Sequence, residues 1–180
     1  VFDRPLDSVY NDGGIDQFRM CEWGIVKRAV EAKAGGLRSR KIVSLGASMS
    51  KFAIVVRGDS DIYEPEMLKG KQIAVTPNNG SHFVTLKMIE GFLAKEHVEV
   101  TNAGSMPQRI EALKMGTVAA VSLMEPWISV AEKEGLRVLM ESHSTRAEAA
   151  GDDLDGPTLA AMFRAQARAC EVLAKDPTPY

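Results

Sequence analysis

The chain has 180 residues, 45% of them apolar, and a formal net charge of −2. That length suits one large or two small packed domains, and that charge offers no basic surface to nucleic acid. No apolar run approaches the ~20 residues of a membrane-spanning helix, and two cysteines, Cys21 and Cys170, make neither a disulfide framework nor a zinc ligand set.

No metal or cofactor is expected. A chain beginning at Val1 reads as processed, trimmed or a fragment, and a removed signal peptide would leave no trace.

Residues 1–14 are mixed and polar, with an Asn-Asp-Gly-Gly turn at 11–14. Residues 16–22 (DQFRMCE) could form a strand. Trp23–Ala34 reads as a helix with Ile25, Val26, Ala29 and Val30 turned inward and Gly35-Gly36 ending it. Residues 41–45 predict a second strand and 52–56 (FAIVV) a third. Between them, Gly46-Ala47-Ser48-Met49-Ser50 is small and polar. It reads either as a loop that lets a ligand or another backbone come close, or as a plain loop. Residues 57–70 are charged and turn-rich, as a connection would be.

The pattern then becomes regular. Lys71–Thr76 predicts a short buried strand, Pro77–Ser81 a tight polar turn, and 81–95 a helix carrying Phe83, Leu86, Ile89, Phe92 and Leu93 at helical spacing. The free N–H groups of that helix start, with the positive end of its dipole, suit an anionic or strongly polar small molecule. The same residues also fit an ordinary βα loop with a capped helix. Val98–Asn102 predicts another strand. Ser105 and Gln108 have capping-box spacing, with Pro107 in the first turn, Ile110 and Leu113 on the apolar face, and Gly116 as the stop. Residues 118–124 (VAAVSLM) predict a strand buried on both faces. A helix follows from Pro126 to Gly135, then a strand over 137–140. This alternation predicts βαβ units, right-handed crossovers and a mostly parallel sheet. Residues 141–156 lack periodicity and read as a loop. Pro157 opens a last helix whose apolar face, Leu159, Met162, Phe163, Cys170 and Leu173, places Cys170 in the core.

Several strings together carry a resemblance. Leu68-Lys69-Gly70-Lys71-Gln72-Ile73-Ala74-Val75 is followed by Gly80-Ser81-His82. Met106–Gly116 ends in Ala-Leu-x-x-Gly. Val118-Ala119-Ala120-Val121 precedes Glu125-Pro126-Trp127, and Phe163-Arg164 leads to Asp176-Pro177. In order and spacing these resemble type II periplasmic solute-binding proteins, in the branch serving sulfonate, taurine, nitrate and thiamine-precursor ABC transporters. The resemblance covers roughly residues 14–178. It implies an α/β, two-lobed fold with mostly parallel sheets, incomplete at both ends because family members are longer. Residues 1–56 and 157–180 would form part of a first lobe and 69–141 a second, with 57–68 and 142–156 connecting them. A lobe lacking its central strand would bare a sheet edge, so self-association is expected of a truncated chain.

The resemblance also implies a function. A small anionic or aromatic solute would lie between the lobes at the carboxyl ends of the strands. The protein would work outside the cytoplasm with a membrane permease. Cys21, Glu22 and Trp23 would face the cleft from lobe one, Ser48 and Ser50 would lie near the hinge, and Asn79, Gly80, Ser81 and His82 would grip from lobe two. Glu125 and Trp127 would follow its last strand. Blander roles compete: the tryptophans as core, Glu125 as a helix-start acid, His82 as a surface residue. Two other functions share the fold. One is an enzyme of desulfinase or pyrimidine- or menaquinone-pathway type, with Cys21 as nucleophile and His82 as base. The other is the ligand-sensing domain of a transcription regulator.

Overall fold

A computed structural model describes residues 6–35 and 37–178. Residues 1–5 of the expected first lobe, Gly36 of the expected helix stop, and Pro179-Tyr180 lie outside the described residues. Six strands form one sheet in the order β1-β6-β2-β5-β3-β4. They are β1 (Gln17–Cys21), β2 (Lys41–Val56), β3 (Gln72–Val75), β4 (Glu99–Asn102), β5 (Ala120–Met124) and β6 (Arg137–Ala150). The helices are α1 (Leu6–Asn11), α2 (Glu22–Lys33), α3 (Gly80–Ile89), α4 (Met106–Lys114), α5 (Trp127–Lys133) and α6 (Gly156–Lys175). The α/β class and the fold type expected from the sequence are those observed.

Parallel pairing is confined to β5-β3-β4, the segment where βα units alternate. The pairs β1–β6, β6–β2 and β2–β5 are antiparallel, so parallel neighbours are fewer than expected. The main cause is the length of β2 and β6, which run side by side from Lys41↔Ala150 to Val56↔Arg137. The two strands expected at 41–45 and 52–56 are one strand. The Gly46–Ser50 loop between them is absorbed as an irregularity, where the register shifts between Leu45↔Ala147 and Met49↔Thr145. Residues 141–150, expected in a loop, are the second half of β6. Their polar and small residues hide a strand because Ala and Glu have weak strand preference.

The FAIVV run shows how the core is split. Side chains alternate across a strand. Phe52, Ile54 and Val56 join Ile73, Val75, Val84 and Ile89 on the α3 face. Ala53 and Val55 join Ala74, Leu123, Ile110, Leu113 and Ile128 on the face of α4 and α5. This end of the sheet is thus buried on both faces, which is why its strands read as continuous apolar runs. Gly116 (φ 71°) and Gly135 (φ 81°) take the left-handed conformation that closes α4 and α5. The expected capping box is present in its reciprocal arm, with the Ser105 N–H donating to Gln108 Oε1 at 2.8 Å.

The other end of the sheet has a smaller core of Tyr10, Phe18, Ile25, Ala147 and Ala149. Of the α2 residues expected inside, Ile25 is buried, whereas Val26 is 47% and Val30 62% exposed. On α6 no residue is buried, and Cys170, expected in the core, is exposed.

Candidate binding site

A cavity of about 260 Å³ opens where three helices begin. Its lining comes from the end of β1 (Met20, Cys21), from β2 (Phe52), from the β3–α3 turn (Thr76, Asn79, Gly80, Ser81), from the start of α4 (Met106), from the end of β5 (Met124), and from β6 (Arg146). Strand carboxyl ends and helix amino ends therefore converge there, the usual place for a ligand on a sheet built this way. A hollow of about 320 Å³ lies elsewhere, between the 57–62 segment and Lys71, Gly116, Val118 and Ala119. It mixes Arg57 and Lys71 with Asp59 and Asp61, and no helix start opens into it.

The β3–α3 turn has the form its sequence predicts. Asn78 takes φ 57°, and Asn79 caps the helix, its Oδ1 accepting from the Gly80 N–H at 2.6 Å. The N–H groups of His82 and Phe83 bond to the Asn79 carbonyl at 3.0 and 3.2 Å. Ser81 Oγ accepts from the Thr76 N–H at 2.9 Å, which leaves its own proton free to donate. The Ser81 N–H is a first-turn amide, for which an α-helix supplies no carbonyl.

Gly80 has a different use from the one expected. A Cβ there would stand 2.4 Å from Cys21 Sγ and 3.1 Å from Cys21 Cβ. The missing side chain makes room for the thiol opposite. Cys21 in turn caps α2, with Sγ accepting from the Gly24 N–H at 3.4 Å. Burial pushes the thiol above its ordinary pKa, the reverse of what a nucleophile needs at neutral pH. His82 is engaged elsewhere. Its Nδ1 accepts from the Asn78 N–H at 3.1 Å, its ring stacks on Phe83, and it lies outside the cavity lining.

The remaining expected residues are scattered. Glu22 Oε2 accepts from Thr145 Oγ1 at 2.6 Å, beside the cavity but not lining it. Trp23 is 47% exposed on α2. Ser48 falls within the register shift of β2, and Ser50 pairs with Ser144 of β6. Glu125 is drawn into the first turn of α5, where its Oε2 accepts from the Ser129 N–H at 3.2 Å and hydroxyl at 2.9 Å. Trp127 packs in the α4–α5 groove with Pro107, Ile110 and Val130. The structure thus gathers Cys21, Asn79, Gly80 and Ser81 and leaves the other expected residues outside the lining.

Sequence reasoning missed Arg146. It is the direct cross-strand neighbour of Cys21 on β6, so the two side chains share a face. It makes no ion pair or hydrogen bond among the described residues, and no carboxylate lines the cavity with it. The signal was the alternation Ser144, Arg146, Glu148 against Thr145, Ala147, Ala149, a strand-like period inside an apparent loop. Three methionines and Phe52 complete an apolar side to the cavity.

No known family description matches the chain, and no curated protein matches it. Solved structures do. The alkanesulfonate-binding protein SsuA from Xanthomonas axonopodis pv. citri, bound to MOPS, is 21% identical with a TM-score of 0.74, over 97% of this chain and 62% of that one. The fold is that of the type II periplasmic binding proteins. The aliphatic sulphonate binding protein SsuA from Escherichia coli is 22% identical with a TM-score of 0.59, over 81% of this chain and 47% of that one. An ancestral arginine-binding protein bound to arginine is 19% identical with a TM-score of 0.59, over 97% and 75% of the two chains. At these identities the likeness is one of fold. This chain spans between 46% and 63% of the length of the first three such structures. No helix among the described residues is long and apolar enough to cross a membrane.

Proposed function

We propose that the chain is the solute-binding component of an ABC importer, working outside the cytoplasm and delivering to a membrane permease a small organic anion with a short apolar tail. A sulfonate is the head group that fits best. The carrying observation is Arg146, a guanidinium unpaired among the described residues, in the cavity that also receives the starts of α2, α3 and α4. Cation and helix amino ends all favour negative charge there, and no lining carboxylate opposes it.

The apolar side suits an aliphatic tail. Neither Trp23 nor Trp127 lines the cavity, which leaves Phe52 as the aromatic ring in its lining. At about 260 Å³ the space is below the ~300–1,000 Å³ of sites for drug-sized ligands, which favours a small molecule. The solutes named for the similar structures include an alkanesulfonate and arginine, and the cationic lining favours the first kind. The raised Cys21 pKa and the occupied His82 Nδ1 argue against the alternative of an enzyme with Cys21 as nucleophile and His82 as base.

Titration calorimetry with ethanesulfonate tests the reading. The wild type should bind, and Arg146→Gln should weaken binding by about tenfold or more, the worth of one charge-assisted hydrogen bond. Equal affinity in a folded Arg146→Gln protein, or tighter binding of arginine than of ethanesulfonate, would overturn it.

A further inference from the structure

A second guanidinium stands behind the cavity. Arg109 of α4 is 1% exposed, and it is one of the largest fully buried side chains. Nε donates to the Gly104 carbonyl at 3.1 Å, Nη1 to the Ser122 carbonyl at 2.8 Å, and Nη2 to the Thr76 hydroxyl. None of these acceptors carries charge. No carboxylate pairs with Arg109 among the described residues, and burial alone depresses its pKa. Burying a cation without a counter-ion is costly.

We propose that Arg109 is a positioning residue for the bound anion, acting through Thr76, and that it tunes the site to head groups that only accept hydrogen bonds. This rests on the anion reading above. A hydroxyl has one proton and two lone pairs, whereas a guanidinium only donates. With Arg109 Nη2 on its oxygen, Thr76 must aim its own proton elsewhere, and Thr76 lines the cavity. Ser81 is fixed in the same sense, because its oxygen accepts from the Thr76 N–H. Each of these neighbouring hydroxyls has one lone pair taken by a donor and keeps its proton for the cavity that both residues line. A sulfonate oxygen accepts both protons. A sulfonamide or protonated amine presents hydrogens there and meets no lining carboxylate. The solute's negative charge also supplies, one hydroxyl away, the counter-ion that Arg109 lacks.

The experiment is a double-mutant cycle read by calorimetry, with ethanesulfonate and its neutral, donor-bearing counterpart ethanesulfonamide as probes. Thr76→Val should weaken ethanesulfonate about tenfold, equivalent to 1.4 kcal/mol, and narrow its preference over the sulfonamide. Thr76→Ser should restore affinity to within roughly threefold, since the hydroxyl is what matters. Arg109→Met should also weaken binding about tenfold, and adding Thr76→Val to it should cost no more than about twofold, because linked residues are not additive. Additive losses, or unchanged affinity in a folded Arg109→Met protein, would overturn the inference. If Arg109→Met does not fold, the Thr76→Val and Thr76→Ser pair decides: equal affinity in wild type and Thr76→Val overturns it. A wild type that binds ethanesulfonate through Arg146 but ignores Thr76→Val and Arg109→Met sinks this inference alone. A wild type that binds no ethanesulfonate sinks the anion reading and this one with it.

Discussion

The two ends of the sheet are built differently. Around β5 and β3, helices cover both faces and the strands are mostly apolar and buried. Around β1 and the second half of β6, the core is a handful of residues. Polar contacts do much of the holding there. Glu148, 1% exposed, accepts from Gln17 at 2.6 Å and from Arg19 Nε at 2.8 Å, while Gln166 of α6 reaches it at 3.4 Å. Arg40 lies over the Tyr10 and Phe18 rings. The Met20, Cys21 and Arg146 side of the cavity belongs to the polar end, and the α3 side belongs to the apolar end. Rigid packing holds one wall and directional polar contacts hold the other.

The largest expected effect lies in the apolar end. Leu123→Ala removes a fully buried side chain and should cost about 2–5 kcal/mol in urea unfolding. Leu173→Ala on α6, where the residue is 42% exposed, should stay within about 0.5 kcal/mol. Similar losses at both positions would break the comparison, because α6 would then be packed as tightly as the double-sided core.

An intermediate effect belongs to the polar end. Arg19→Ala leaves the buried Glu148 carboxylate with its glutamine partners only. It should cost about 1.5–3 kcal/mol, the range for hydrogen bonds to charged groups. Because the Arg19 side chain is 42% exposed, part of that loss should fade at high salt. A loss wholly insensitive to salt would mean that packing, not charge, holds β1 to β6.

The smallest effect concerns His82 in the cavity turn. Burial lowers its pKa below the ordinary value, and Nδ1 can accept from Asn78 only while the ring is neutral. A depressed folded pKa means this contribution is full above the unfolded pKa of about 6.5 and is lost as pH falls through the folded value. Thermal unfolding from pH 7.5 down to 5 should show a decline that His82→Asn flattens. An unchanged slope in that variant would assign the decline to other groups.

Legibility from sequence followed the same division. The strands at 71–76 and 118–124 could be read because both faces are buried, and the strand at 98–102 and the helix stops at Gly116 and Gly135 because each βα unit is short. Local pattern and tertiary environment agree there. The turn at Asn79-Gly80-Ser81 could be read too, since an N-cap is a local device. Arg109 was visible in principle, as a charge on the Met106, Ile110, Leu113 stripe.

What the sequence determined by itself was the α/β class, the apolar strands and the helix starts, because periodicity and capping act over a few residues. Only the tertiary structure decided that β2 and β6 are single long strands, since each is stabilised by the other across some ninety residues of chain. Only it set Cys21 against Gly80 and Arg146 beside Cys21. Register places a side chain in a cavity, and register is fixed by a partner strand that no local pattern names.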